Sequence, residues 1–279
     1  MSRIYSPIRD ASIVGIRSPF RQLIENTSDP GGLPVTADLI AHYDADDPDT
    51  IDVVNDGDPV GAWNDKSGNN FNATQTTTAL KPTYKTGIAF LNNRPVIRSD
   101  GVGKFLNIGD VSALEMDEFT IFIVADRDSS GIHSTLLTIQ GQTTGTNDPC
   151  GNYFPFVKNS GHGATLTEPN GIQKGLVTST GTGADVFYLI TYQKTSSALI
   201  IRSDGIQRIS VSMSATLDYA TTFTKQSLIF ARGQDQGTPS RLQFHAGDIA
   251  EIIIYDSALN VGGVDSTEIH LSDKYGLAI

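Results

Sequence analysis

The chain lacks the cysteines that a disulfide-stapled protein needs. Cys150 is its single cysteine among 279 residues, which excludes an internal disulfide. No apolar run approaches the roughly 20 residues that cross a bilayer, so membrane insertion is not expected. The N-terminal segment also lacks the uninterrupted apolar core of a secretion signal. We therefore expect a soluble protein that folds in the cytoplasm where it is made.

Basic residues are scarce as well. The chain has 20 Lys and Arg against 31 Asp and Glu, a net charge of −11. An acidic surface repels polyphosphate, and the sequence has no basic stripe interleaved with aromatics. Nucleic acid is therefore not an expected partner.

The motifs of common catalytic and cofactor sites are also missing. The five histidines are scattered, without the His-x-x-x-His or Cys-x-x-Cys spacing of a zinc site. There is no Gly-x-Ser-x-Gly elbow for a serine nucleophile and no Gly-rich phosphate loop. The sequence therefore predicts a protein that is not an enzyme and has no organic cofactor.

Short β-strands are what the sequence does contain. Phe119–Ala125 and Val186–Tyr192 are nearly continuous apolar runs rich in β-branched and aromatic residues, typical of central strands in a packed sandwich. Asp204-Gly205 separates two further β-rich segments and predicts a two-residue hairpin. A single C-terminal helix is predicted, capped by Asp265 and ended by Gly276.

One predicted strand has an acid among its apolar residues. In Ile249–Tyr255, Ala250, Ile252 and Ile254 share one face, whereas Glu251 interrupts the other. A carboxylate at such a position indicates a face that is only partly covered. We therefore expect one sheet to meet water here.

Five segments in order carry a family resemblance. They are Ala41-His42-Tyr43-Asp44-Ala45, the Gly61–Gln75 stretch GAWNDKSGNNFNATQ, the Arg94–Gly101 stretch RPVIRSDG, the Gly247–Leu259 stretch GDIAEIIIYDSAL, and Lys274-Tyr275-Gly276-Leu277. Together they resemble the concanavalin A-like lectin/glucanase (LamG-like) domains. The resemblance implies an all-β fold, a two-sheet antiparallel jelly-roll sandwich over residues 37–279, closed by a short C-terminal helix.

Glucanases of that fold carry a Glu-x-Asp-x-x-Glu strand that supplies a nucleophile and an acid/base. The nearest match here is Glu115-Met116-Asp117-Glu118, and Thr120 stands where the last carboxylate belongs. A polysaccharide-cleaving enzyme is therefore only the third functional hypothesis.

An aspartate-rich run is the candidate metal site. Asp44, Asp46 and Asp47 begin a stretch without Lys or Arg, and hard cations favour such oxygen-rich loops. LamG-like domains often bind calcium at the sandwich rim, but the resemblance does not assign individual ligands, so these three are candidates on the strength of the acidic run itself. The alternative is a solvated acidic loop.

A second candidate site lies in the middle of the chain. Tyr153, Phe154 and His162 belong to a segment rich in Gly and Asn, and together they could stack on a sugar ring and hydrogen-bond its hydroxyls. The alternative is that the aromatics are ordinary strand and core residues.

Residues 1–36 read as an extended arm and linker. Ser6-Pro7-Ile8-Arg9 returns as Ser18-Pro19-Phe20-Arg21, and the prolines prevent a continuous helix. The arm is too apolar for a purely solvated tail, so it needs a surface, either its own sandwich or a neighbouring subunit. The candidate anchoring residues are Arg9, Arg17, Pro19, Phe20 and Arg21.

The combination of arm, acidic β domain and missing catalytic motifs resembles bacteriophage surface proteins. The first hypothesis is a virion structural protein, made in the host cytoplasm and placed on the virion surface as capsid decoration, head fibre or tail component. Its expected partners are other virion proteins, copies of itself in a trimer or another cyclic oligomer, and host surface glycans. The second hypothesis is a stand-alone carbohydrate-binding module.

Overall fold

The computed structural model describes residues 32–126, 134–142, 153–158, 161–168, 172–177, 186–217, 219, 225–231 and 244–279. The strands are β1 Leu39–Asp44, β2 Ala62–Trp63, β3 Ala73–Thr74, β4 Thr83–Ile88, β5 Arg94–Asp100, β6 Leu106–Gly109, β7 Phe119–Ala125, β8 Ser134–Gln142, β9 Tyr153–Lys158, β10 Gly161–Glu168, β11 Ile172–Val177, β12 Tyr188–Lys194, β13 Ala198–Ser203, β14 Ile206–Ser212, β15 Lys225–Ile229 and β16 Ala246–Tyr255. The α-helix α1 spans Val261–Tyr275, and short 3₁₀ turns cover Thr78–Leu80, Ala89–Leu91 and Ser112–Leu114.

These strands form two sheets. The first sheet has the order β14-β13-β12-β7-β16-β5-β4, with β1 also paired to β16, and the second has the order β11-β10-β9-β8-β15-β6-β3-β2. Every pairing between the described strands is antiparallel. The predicted all-β, two-sheet antiparallel sandwich with a short C-terminal helix is thereby confirmed.

Strand β16 holds the first sheet together. It pairs with β7 along one side. On its other side it pairs first with β5 and then with β1. This register puts Asp44 of β1 directly opposite Glu251 of β16, so two carboxylates meet in the interior of the sheet.

Apart from Thr120, strand β7 is apolar because both of its faces are covered. Ile121 and Ile123 belong to the core between the two sheets, together with Trp63 of β2. Phe122 and Val124 point the other way, into a second apolar cluster beneath α1. The alternation of side chains along a strand assigns them to opposite faces, and the covering of both faces explains why the residues from Ile121 onward are all apolar.

The expectation that one face of β16 meets water was wrong. Ile253 and Tyr255, on the same face as Glu251, lie in the cluster beneath α1, and Glu251 itself is only 1% exposed. The helix covers this face, and Glu251 is tolerated there because charged partners surround it.

The boundaries of α1 confirm one prediction and correct another. The chain leaves the helix at Gly276, which has a left-handed φ of 68°, as predicted. Asn260, not Asp265, is the N-cap, and its side chain accepts a hydrogen bond from the Gly263 amide at 2.9 Å. Asp265 lies inside the helix and instead pairs with Arg202 of β13 at 3.1 Å.

The predicted Asp-Gly hairpin is confirmed. Asp204 and Gly205 have φ values of 51° and 72°, and they join β13 to β14 in an antiparallel pair. Positive φ at both central positions is the geometry for which Asp-Gly is favoured.

The linker reaches the sandwich before β1 begins. Leu33 and Val35 pack against the cluster beneath α1, and the Val35 carbonyl accepts a hydrogen bond from the Tyr255 hydroxyl at 2.8 Å. The anchoring residues predicted in the arm, Arg9, Arg17, Pro19, Phe20 and Arg21, lie outside the described residues, and the division at residue 36 stays a prediction. No helix in the described part of the chain is long and apolar enough to span a membrane.

Candidate functional site

A group of charged side chains, three of them buried, comes together where β1, β16 and α1 meet. We call it the His42 cluster, and it consists of His42, Asp44, Lys66, Glu251 and Lys274. His42 and Asp44 stand two residues apart on β1, and Glu251 is their neighbour on β16. Lys274 comes from the last turn of α1, and Lys66 from the loop after β2. The cluster therefore joins four segments that are distant in sequence.

The contacts within the His42 cluster are short and direct. The Lys274 ammonium donates to Asp44 Oδ1 at 2.8 Å and to Glu251 Oε2 at 2.7 Å. The other Glu251 oxygen, Oε1, lies 2.7 Å from His42 Nε2. The Tyr275 hydroxyl also donates to Glu251 Oε2, at 2.8 Å. Both oxygens of this buried carboxylate are therefore satisfied, which is the condition for burying a charge.

Electrostatics keep this cluster ionised. Burial alone raises the pKa of Glu251, but His42 and Lys274 outweigh it and lower the pKa from 4.5 to about 2. Burial lowers the pKa of Lys274, yet Glu251 and Asp44 raise it above its ordinary value. At neutral pH Glu251 is therefore a carboxylate and Lys274 an ammonium ion.

The loop after β2, which carries much of the family resemblance, is a clamp on β1. Asp65 Oδ1 accepts hydrogen bonds from the backbone amides of His42 and Ser67, each at 2.8 Å. Ser67 Oγ and Asn69 Nδ2 both donate to the Ile40 carbonyl at 3.0 Å. Asp65, Ser67 and Asn69 thus fasten the loop to β1 and carry Lys66 to the cluster.

Four of the five segments compared with LamG-like domains meet at this point of the fold. His42 and Asp44 come from the first segment, Lys66 from the second, Glu251 from the fourth and Lys274 from the fifth. Sequence reasoning treated the segments as a family mark and did not find that their charged residues are partners. The segments occur in the same order as in the family that they resemble, and this was the signal that could have suggested that they contact one another.

The aspartates predicted to bind calcium form ion pairs with basic side chains in the structure. Asp44 binds Lys66 and Lys274, Asp46 binds Arg94, and Asp47 Oδ2 lies 2.7 Å from Lys66 Nζ. Calcium needs six to eight oxygen ligands, and here protein cations already hold the carboxylates. The loop is also not simply solvated, because Asp44 is buried. Calcium binding by this chain stays an untested prediction.

The buried carboxylates elsewhere in the described residues are likewise engaged. Glu268 of α1 pairs with Arg202 at 2.8 Å, and Asp248 of β16 pairs with Arg98 at 2.6 Å. Asp126 Oδ1 accepts the Asp248 amide at 2.6 Å. These contacts hold strands and helix together and leave the carboxylates little freedom for acid/base work.

The segment nearest to a glucanase motif is also structural. Glu115 pairs with Lys225, and Asp117 Oδ1 accepts the Leu217 amide at 2.8 Å. Thr120 Oγ1 donates to the Ser257 carbonyl at 2.9 Å. The three motif positions therefore stabilise neighbouring loops.

One aromatic ring stands out from the surface on a firmly held turn, which sequence reasoning missed. The turn covers residues 88–93 between β4 and β5, and we call it the Phe90 turn. Phe90 is 75% exposed, whereas its neighbour Leu91 is fully buried. Asn92 and Asn93 both have left-handed φ values, and the backbone N–H of Asn93 donates to the Ile88 carbonyl at 3.0 Å.

The Phe90 turn is also fixed to the helix. Asn92 Nδ2 donates to the Lys274 carbonyl at 3.2 Å. Asn93 of the same turn is exposed. An exposed ring and an exposed amide on one short turn have the chemistry to contact a ligand with one apolar face and polar edges.

The predicted glycan-binding residues lie in the second sheet. Tyr153 and Phe154 belong to β9, and His162 belongs to β10. Their backbones pair within that sheet, but their side chains fall outside the described residues. Their role stays a prediction.

Comparisons with solved structures place this architecture among lectin-like β-sandwiches. The binding domain of Paraclostridial Mosquitocidal Protein 1 gives a TM-score of 0.56 at 14% identity, covering 84% of this chain and 52% of that one. This chain thus spans about half the length of that structure. Domain 4 of the arabinanase AbnA from Geobacillus stearothermophilus, solved with arabinotriose, gives 0.54 at 14% identity, covering 85% and 98%.

A third structure, the CBM40 of the Ruminococcus gnavus IT-sialidase bound to alpha2,6 sialyllactose, gives a TM-score of 0.52 at 15% identity, covering 67% of this chain and 97% of that one. At such identities the likeness concerns the fold alone. No protein-family model matches the chain, and no curated protein matches it significantly.

Proposed function

We propose that this chain is a non-catalytic, glycan-binding β-sandwich of the LamG-like kind, displayed on the surface of a bacteriophage virion and attached there by its N-terminal arm. The glycan-binding part has two supports. The fold is similar to domains solved with arabinotriose and with sialyllactose, and the described surface offers a ring suited to a sugar.

The Phe90 turn is the observation that carries the glycan-binding proposal. A pyranose ring has an apolar face of C–H groups that packs on an aromatic ring, and hydroxyls that hydrogen-bond to amides. Phe90 presents such a ring at 75% exposure, and Asn93 of the same turn is exposed as well. Because Leu91 anchors the turn in the apolar cluster beneath α1, binding there requires little ordering of the protein.

The engaged carboxylates support the non-catalytic part. Glycoside hydrolysis uses two carboxyl groups flanking the bond, one of them with a raised pKa. Glu251, the buried glutamate at the centre of the His42 cluster, has a lowered pKa of about 2. It serves as a permanent anion and not as a proton donor.

Glycan binding is tested on an array probed with the full-length chain, with and without calcium. We expect binding, and Phe90→Ala should weaken it about tenfold, equivalent to roughly 1.4 kcal/mol. Val54→Ala is the matched control because Val54 is 71% exposed but has no ring. An array without binding in either condition would reject the glycan-binding role.

The virion part of the proposal is supported by the sequence of the arm. Its two Ser-Pro-x-Arg repeats combine prolines, which disfavour a continuous helix, with basic and apolar side chains, a combination that suits attachment to another protein. Copies of the same chain, in a trimer or another cyclic oligomer, are the expected neighbours together with other virion proteins.

Attachment is tested by deleting residues 1–32 and measuring cosedimentation with purified particles. We expect the shortened chain to stay folded, since Leu33 and Val35 still pack beneath α1, and to lose attachment. An antibody to the chain should also decorate particles in electron micrographs. Attachment that survives the deletion would contradict anchoring by the arm. Glycan binding by a full chain that never attaches to particles would favour the stand-alone carbohydrate-binding module instead.

A further inference from the structure

The Lys274 ammonium lies between two side chains of the His42 cluster that could ligate a metal ion. One ligand atom from each of His42, Asp44 and Glu251 lies within 4.8 Å of the others, the one such group among the described residues. Lys274 Nζ lies 2.8 Å from Asp44 Oδ1 and 2.7 Å from Glu251 Oε2. The ammonium therefore contacts two of the three groups that could ligate a metal.

The three groups would suit a transition metal if the lysine were absent. One imidazole and two carboxylates form a donor set that zinc or manganese accepts. Two buried carboxylates facing each other across β1 and β16 need a positive charge, because an unpaired buried charge is strongly unfavourable. A lysine and a divalent ion are alternative ways to supply it.

We propose that the Lys274 ammonium is a built-in replacement for a metal ion: it neutralises Asp44 and Glu251, makes the sandwich independent of divalent cations, and conceals a latent metal site formed by His42, Asp44 and Glu251. The cation belongs to α1, so it is present whenever the helix is docked. A diffusible ion would instead make the same junction depend on the metal concentration around the protein.

Lys66 supplies a second ammonium group to Asp44. Its ammonium lies 3.1 Å from Asp44 Oδ2 and 2.7 Å from Asp47 Oδ2. Burial lowers the pKa of Lys66, but Asp47 and Asp44 raise it overall. Each Asp44 oxygen thus has its own ammonium, from Lys274 on one side and Lys66 on the other. A calcium ion could bind here only by displacing them.

The test is the thermal midpoint of the full-length chain in EDTA, calcium, manganese or zinc. The midpoint of the wild-type protein should be the same in EDTA and in each metal. Lys274→Met removes the ammonium and keeps the bulk of the side chain. In EDTA this variant should be less stable than the wild-type protein. Manganese or zinc should then raise its thermal midpoint by about 3 °C or more.

Two further variants make the result specific. Lys85→Met is the matched control, because Lys85 forms an exposed pair with Asp56 at 2.6 Å, and its midpoint should not respond to metal. In the double variant Lys274→Met with Glu251→Gln, one ligand is lost and the metal response should disappear. Titration calorimetry with manganese should give heat of binding for Lys274→Met alone.

Three results would overturn the proposal. One is a wild-type midpoint that rises with calcium, with the rise lost in Asp44→Asn. Another is a metal response in Lys274→Met no larger than in Lys85→Met. If Lys274→Met does not fold in EDTA, folding on addition of manganese or zinc supports the proposal. The third overturning result is that neither Lys274→Met nor Lys274→Gln folds with manganese or zinc, which would show that these metals cannot replace the ammonium.

Discussion

The His42 cluster and the Phe90 turn are neighbours with opposite characters. Asn92 of the turn donates to the carbonyl of Lys274, which belongs to the cluster, at 3.2 Å. In the cluster, buried charged groups bind one another, as the contacts of Glu251 illustrate. In the turn, an apolar ring faces solvent. The comparison indicates that the cluster maintains the fold, whereas the turn exposes an apolar ring that the fold does not need.

The largest effect should follow from breaking the cluster at its centre. Glu251→Gln leaves Lys274 with one carboxylate fewer and His42 without its anion, and removing one member of a buried ion pair costs about 3–5 kcal/mol. Urea unfolding measures the change. Asp49→Asn, an exposed aspartate of the same acidic run, should change stability by less than about 0.5 kcal/mol. Equal losses in the two variants would contradict the structural role of the cluster.

As the pH is lowered, the ion pairs of the His42 cluster should weaken before the Phe90 turn is affected. The pKa of Glu251 falls from 4.5 to about 2 on folding, so its stabilising contribution is complete above pH 4.5. That contribution is lost as the pH falls from 4.5 towards 2, because the unfolded chain takes up the proton first. Urea midpoints measured across this range should fall less steeply for Glu251→Gln than for the wild type. Parallel curves would indicate that other carboxylates dominate acid unfolding.

A smaller effect is expected where the two regions join. Gly276 ends α1 with φ at 68°, and a Cβ there would lie 2.5 Å from Asn92 Oδ1. Gly276→Ala therefore combines backbone strain with displacement of the Phe90 turn, and we expect a loss of about 2 kcal/mol. Gly57→Ala is the matched control, since its φ is 91° and the space around it is open. A loss no greater than in this control would mean that the contact with Asn92 contributes nothing.

The smallest effect on stability should come from the ring itself. Phe90 buries little of its surface in the folded chain, so Phe90→Ala should change the free energy of unfolding by no more than about 0.5 kcal/mol. Leu91→Ala, one residue on, removes a fully buried side chain and should cost about 2–5 kcal/mol. Similar losses in the two variants would show that Phe90 is part of the core after all.

The sequence was sufficient to predict features that depend on neighbouring residues. The apolar run of β7, the Asp204-Gly205 hairpin and the end of α1 at Gly276 were all predicted, because each is decided by local periodicity or by φ. Asp265 was misjudged as a cap because its spacing to Glu268 fits a capping box. Inside the helix, the same spacing places both acids beside Arg202.

The candidate site depends on distant partners and was therefore missed. His42 and Glu251 are 209 positions apart, and nothing near Glu251 in the sequence indicates which charge will face it. The exposure of Phe90 is also hidden, because the apolar composition of Ile88–Leu91 fits a strand end equally well. Only the path of the chain decides that Leu91 turns inward and Phe90 outward.

The helix that covers the first sheet follows every described strand in the chain. It is therefore synthesised after all the strands that it covers. Until α1 docks, Phe122, Ile253 and Tyr255 are without their covering, and Asp44 and Glu251 are without Lys274. Newly made chains thus pass through an interval in which an exposed apolar surface and two uncompensated acids coexist, and docking of α1 ends it.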